Sequence, residues 1–294
     1  MPDIELFATA QGTIANKVLS NAQRASVIGI TSRGLFLRVE PRWVIFLSFE
    51  TYKGPLSLNL EGDVSMVSHL DQNSPVEIQN GKILFTASRI TITTNNAEIW
   101  DIPSRSSSVL SLPERNHRIK AVASEMLAKR NNVGLSVSLA NFLGIGDINT
   151  LSSSTPFNKV DIRELHRLIH LPNLSNILSA LQPIMGLGAG LTPSGDDLII
   201  GLLLAYNRWG DVLNPIFDLP QLNESVTQMA FNETTQISAN LIASAAQGIA
   251  DERLVTALDG IMTGSPDITS CAISLLNWGS SSGIDALVGM VVAA

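Results

Sequence analysis

One segment of about fourteen residues occurs twice in this chain, and it limits the possible folds more than any other feature. Residues 192–205 read TPSGDDLIIGLLLA and residues 280–293 read SSSGIDALVGMVVA. Aligned without a gap, they share Ser194/Ser282, Gly195/Gly283, Asp197/Asp285, Gly201/Gly289 and Ala205/Ala293. Six of the remaining positions set one apolar residue against another. Each copy is a polar loop that opens a helix carrying an Asp in its first turn. The Gly four residues after that Asp shares its helical face. Both helices are apolar nearly all round, so both are expected to be buried. The spacing predicts two buried helices packed about a local two-fold, with their starts converging.

At 294 residues the chain exceeds the common single-domain size. With 45% hydrophobic and 15% charged residues and a mean hydropathy of +0.23, it can fill a sizeable core. A formal net charge of −7 argues against nucleic acid or an anionic membrane as the main partner. The lone Cys271 cannot close an internal disulfide, which fits a reducing compartment. The opening MPDIELFATAQG carries an early acid and lacks a continuous apolar core, unlike a signal peptide. The longest apolar runs, 198–206 and 286–294, are about half of what a membrane span needs. A soluble cytoplasmic protein is expected.

The chain changes character near residue 103. Before it lie short runs rich in Val, Ile, Thr, Phe and Leu, namely SVIGITS, GLFLRVE, RWVIFLSFE, PLSLNL, KILFTAS, RITITT and AEIWDI. Gly-, Pro- and Asn-bearing turns separate them, with Asn80-Gly81 the clearest hairpin turn. A short helix near Ile14–Gln23 precedes them. PSRSSSVLSLP, residues 103–113, reads as a polar linker. Helical spacing dominates afterwards, over 115–130, 161–170, 173–185, 192–209, 221–250 and 270–277, with a last helix from about Gly283. The expected fold is α+β: a small antiparallel β-sheet or barrel over 1–103, then a larger all-α domain over 104–294.

The densest motif is Gly186-Leu-Gly-Ala-Gly-Leu-Thr-Pro-Ser-Gly-Asp-Asp. Gly188 and Gly190 leave backbone amides uncovered, Thr192 suits an N-cap and Pro193 the first helical position. Free amides at a positive helix end suit an anion. No Lys follows the final Gly, so this is no Walker loop, and a helix precedes it, so it is no dinucleotide fingerprint. Asp196 and Asp197 would repel a bare phosphate. A cation, an amide or amine group of the ligand, or an Arg from elsewhere would reconcile them. Tight helix packing with acidic capping is the competing explanation.

In the second copy Ser281, Ser282 and Gly283 supply hydroxyls and a glycine. Between the copies, Gln236, Asn240 and Ser244 form one stripe at helical spacing, and Thr234 and Ser238 another. Such a stripe lines a polar pocket or permits close packing. Asp197 and Asp285 are thus the catalytic candidates. The ligand-binding candidates are Gly188, Gly190, Thr192, Ser194, Gly195 and Asp196 in the first copy, Ser281, Ser282 and Gly283 in the second, and Thr234 and Ser238 between them. His69, His117, His166 and His170 have no metal-ligand spacing. No cofactor is expected, although a divalent cation between the carboxylates is compatible with the pattern. Arg33, Arg38, Arg42 and Arg89 are the counter-charges available to an anion lying between the domains.

The combination of GLGAGLTPSGDD, TTQIS and GSSSGID, following a strand-rich half with WVIFLSFETYKGPLSLNL, resembles a bacterial family labelled a domain of unknown function. That family includes the smaller subunit associated with oxamate carbamoyltransferase of anaerobic allantoin breakdown. The resemblance implies carbamoyl transfer, oxalurate plus phosphate giving oxamate plus carbamoyl phosphate, within a multi-subunit assembly. It implies a small anionic substrate and partner subunits, either different chains or further copies. The alternative is a non-catalytic subunit that binds a metabolite or serves assembly.

Overall fold

The computed structural model describes residues 3–146 and 161–294 and divides into two compact units, Met1–Pro103 and Ser104–Ala294. The first unit is an eight-stranded barrel. Strands β1 (Ile4–Gly12), β2 (Arg24–Thr31), β3 (Gly34–Val39), β4 (Trp43–Ser48), β5 (Ser57–Leu60), β6 (Pro75–Gln79), β7 (Lys82–Phe85) and β8 (Ile90–Thr93) run in the order β5-β4-β3-β2-β6-β7-β8-β1. Pairing of β1 with β5 closes the ring, and the short β9 (Glu98–Trp100) adds to β1. Alternate residues of β1, Leu6, Ala8 and Ala10, enter a core with Val27, Leu37, Ile45, Leu58, Ile83 and Ile92. The Asn80-Gly81 hairpin turn forms, both residues having positive φ.

The barrel is mixed. Adjacent hairpin strands pair antiparallel, but β1 runs parallel to β8 and β9, and β4 parallel to β5. Turn residues reveal only hairpins between consecutive strands. The parallel pairings join segments far apart in sequence, or joined by a longer connection, and leave no such mark. The sequence reading did not assign a strand to IELFATAQG, although it is the strand that closes the barrel. Helix α1 (Thr13–Asn21) follows β1 directly.

The second unit is helical: α2 (Leu112–Lys129), α3 (Ser136–Leu143), α4 (Ile162–Ile169), α5 (Leu174–Leu181), α6 (Ser194–Leu213), α7 (Leu219–Glu233), α8 (Gln236–Ala245), α9 (Glu252–Thr263), α10 (Ile268–Leu276) and α11 (Ser282–Ala293). Among the described residues, no helix is long and apolar enough to cross a membrane. Helix α2 begins inside the expected linker, because Ser111 and Glu114 close a capping box in which Glu114 accepts from the Ser111 amide at 2.9 Å. The segment expected as one helix over 221–250 is two. Thr234 is extended, and Thr235 starts α8 as an N-cap, its hydroxyl accepting from the Ser238 amide at 3.1 Å. Thr234 therefore shares no helical face with Ser238. Helices α3 and α9 had no counterpart in the sequence reading.

Helix α6 departs from helical geometry at Trp209. There the Asp259 carboxylate of α9 accepts from Arg208 Nε at 2.7 Å, from Arg208 Nη2 and from Trp209 Nε1 at 2.9 Å. Arg208 and Trp209 are buried and Asp259 nearly so. Removing Asp259 takes a charged acceptor from a buried guanidinium and from an indole N–H. Asp259→Ala is expected to cost about 3 kcal/mol, measured as a lower denaturation midpoint.

Candidate functional site

The two copies of the repeated segment pack as helices α6 and α11, each buried along nearly its whole length. Their contact is reciprocal. A Cβ on Gly201 would lie 1.9 Å from the Ala286 carbonyl oxygen, and a Cβ on Gly289 would lie 1.9 Å from the Leu198 carbonyl oxygen. Gly201 aligns with Gly289 and Leu198 with Ala286, so the helices exchange equivalent contacts about a local two-fold. The starts converge, with Thr192 Oγ1 lying 3.4 Å from Ser282 Oγ. Ser282 lies beside Asp197, and its counterpart Ser194 beside Asp285. Backbone sterics enforce this proximity: only glycine allows the two helices to approach so closely.

Both helix starts are engaged internally. Thr192 lies outside α6 and Pro193 is the N-cap, with the extended ψ of 146° that a cap requires. The Gly195 amide donates to the Leu187 carbonyl at 2.9 Å, and the Gly283 amide to the Trp278 carbonyl at 3.0 Å. The next two amides in each copy donate to the N-cap carbonyl, of Pro193 or of Ser281. Amides at the helix starts are therefore largely taken, while Gly188, Ala189, Gly190 and Leu191 stay exposed in the loop above.

The acids differ in how well they are satisfied. Asp196 is a buried tie: its carboxylate accepts from the Gly186 amide at 2.7 Å and from the Thr234 hydroxyl. It fixes the glycine loop to the α7–α8 junction, and the Thr235 hydroxyl adds a bond to the Leu191 carbonyl at 2.7 Å. Asp285 is fully buried and accepts from the Leu135 amide at 2.6 Å through Oδ1, while its Oδ2 has no partner. Asp197 is equally buried, and neither of its oxygens has a hydrogen-bond partner. Ser282 and Thr192 stand close enough to favour its charged form without closing a hydrogen bond of normal geometry onto it. Burial pushes the Asp197 carboxyl well above its usual range, and the charges of Asp285 and Asp196 push it further. Burial also raises Asp285, to about 6, against the pull of the Leu135 amide and of Ser194 and Ser281.

Three residues that the sequence reading passed over complete the site. A Cβ on Gly134 would fall 2.2 Å from Asp285 Oδ1, so only glycine lets the turn lie against the carboxylate. Leu135 supplies the amide to Asp285. Arg130 donates to the carbonyls of Gly279 at 2.9 Å and Ser280 at 2.8 Å, holding the second loop. The run Asn131-Asn132-Val133-Gly134 follows α2 and carries no sequence signal of this role, because its distance in sequence from Asp285 hides the contact. Ser238 is buried on the first turn of α8 with its hydroxyl unpartnered.

The other singled-out side chains have local roles. His166 Nδ1 lies 3.1 Å from the Val292 carbonyl and His170 Nδ1 lies 2.8 Å from the His166 carbonyl. Cys271 is buried in the core. Among the described residues, no group of three His, Cys, Asp or Glu side chains could hold a metal ion.

No solved structure matches the chain. A match to a known family begins just before the glycine loop and covers α6–α11, and so includes both copies of the repeat. Residues 184–294 match the model of the family described as oxamate carbamoyltransferase subunit AllH, the family that the sequence motifs resemble.

Proposed function

We propose that this chain serves as a subunit of an oxamate carbamoyltransferase-type enzyme and binds a small amide-bearing anion, oxamate or carbamoyl phosphate, where α6 and α11 converge. The observation that carries this reading is Asp197, wholly buried with both oxygens unpartnered. A buried carboxylate without donors is costly, and such a group beside a second one is a feature of functional sites. Because the helix-start amides are mostly engaged, the unmet demand of this site is for hydrogen-bond donors. The ligand's NH2 group meets it at Asp197, with Asp285 beside it. Its anionic end lies outward, toward the exposed amides of the Gly188–Leu191 loop and the hydroxyls of Thr192 and Ser282.

Direct transfer then needs no enzyme nucleophile. In the direction of oxalurate formation, the oxamate nitrogen attacks the carbamoyl carbon, the new C–N bond forms, and the C–O bond to phosphate breaks. One nitrogen-bound proton leaves. A carboxylate whose proton affinity burial has raised suits that proton, and Asp197 would accept it and pass it to the departing phosphate. Orientation and charge placement supply the rest of the rate.

Thermal denaturation of the chain with oxamate, carbamoyl phosphate or inorganic phosphate tests the reading. Oxamate or carbamoyl phosphate at a hundred times its Kd is expected to stabilise the chain by about 3 kcal/mol. Flat responses to all three would reject the pocket in favour of a purely assembling subunit.

A further inference from the structure

The repeat is symmetric in sequence but not in hydrogen bonding, and the asymmetry separates two roles. Asp285 is held: the Leu135 amide occupies Oδ1, and the Gly134 backbone lies against the carboxylate. Asp197, its equivalent by the local two-fold, accepts from no backbone amide, and both its oxygens are buried and unpaired. Asp196, the next residue along, is fully committed to Gly186 and Thr234. Among these three acids, only Asp197 has both carboxylate oxygens without a hydrogen-bond partner.

We infer that Asp197 is the specificity-determining residue of this site, selecting a ligand with a primary amide over its carboxylate isostere. This rests on the functional reading above and deepens it. In its ionised form, which N–H donors of a ligand favour against the effect of burial, the Asp197 carboxylate is acceptor-only, and a primary amide brings two N–H donors in one plane. Oxamate and oxalate have nearly the same size and differ in that one end is an NH2 group in the first and an oxygen in the second. Against Asp197, oxamate completes the missing hydrogen bonds. Oxalate sets a second negative edge against a buried acid that already faces Asp285 and Asp196. Sites built to hydrogen-bond a donor reject analogues lacking it far more strongly than sites that discriminate by size.

The test measures the affinities of the full-length chain for oxamate and oxalate by calorimetry, with a thermal-shift control for folding. The wild-type chain is expected to prefer oxamate by at least about tenfold. Asp197→Asn, whose amide both donates and accepts, is expected to bring the two affinities within about threefold of each other or invert them. Asp285→Asn is expected to weaken both ligands while keeping oxamate preferred. Equal affinities in the wild-type chain, or an undiminished preference in Asp197→Asn, would overturn the assignment while leaving the pocket standing. Binding of neither anion would remove the pocket and the assignment together. Stabilisation by Mg2+ alone, with no further effect of oxamate, would also overturn it, since a cation would then occupy the carboxylate.

Discussion

Gly201→Ala is expected to lower the stability of the helical unit by about 3 kcal/mol or more, at the upper end of what overpacking costs in a buried core. The added methyl carbon would lie 1.9 Å from the Ala286 carbonyl oxygen, 2.7 Å from its carbon and 3.0 Å from its Cα. These are backbone atoms of a buried helix, so no rotamer change relieves the overlap. Helices α6 and α11 must separate along a face that includes Leu202, Leu198 and Leu287, all fully buried. Gly289→Ala is expected to cost a similar amount through Leu198. The double substitution should cost less than the sum, because separation forced by one methyl makes room for the other. Gly210→Ala in the same helix is the control. Its Cβ would meet only Leu219 Cδ2, at 3.8 Å, and helix propensity then favours alanine by up to about 1 kcal/mol. Chemical denaturation midpoints decide the matter: tolerance of alanine at Gly201 would mean that the close approach of the two helices is not what holds this core together.

The same pair shows how much of the molecule was legible in the sequence. Convergence of the two starts followed from five shared positions and from helices apolar on every side, because apolar residues all round leave a helix no exposed face. The α+β division and most hairpin strands followed from period and turn residues. Strand β1 was hidden because Glu5, Phe7 and Thr9 place a charged, an aromatic and a hydroxyl residue on its outer face, between small or apolar inner residues. The break between α7 and α8 was written in Thr234-Thr235. Thr235 caps α8 there, and Asp196, 38 residues earlier, holds the Thr234 hydroxyl. The contribution of Gly134 and Leu135 was not legible at all. A turn that places one amide on a carboxylate 150 residues away has no local signature. Nor did the motif reveal that the helix-start amides would be taken by Leu187 and Trp278, the fact behind the proposed preference for N–H donors over a bare anion.

In the carbamoyltransferase assembly proposed above, Asp197→Asn is expected to lower turnover at least a hundredfold while making the chain more stable at pH 8. A carboxylate whose pKa is higher folded than unfolded binds more protons in the native state. Its contribution to stability is complete below the unfolded value near 4 and is lost as pH rises through the folded value. For Asp285, raised to about 6, that loss is on the order of 3 kcal/mol, at about 1.4 kcal/mol per pKa unit. Asp197, which has no donor and lies near two like charges, acts in the same direction. The wild-type melting temperature should therefore fall as pH rises from about 4 through about 6, and Asp197→Asn should flatten the fall. A residue that destabilises the fold at working pH and yet cannot be replaced without loss of turnover has its carboxylate for the chemistry. Wild-type turnover in the variant would remove Asp197 from the reaction. A lower melting temperature at pH 8 with an unchanged pH profile would instead show that its oxygens are satisfied within the fold, leaving a buried structural acid where a ligand site is proposed.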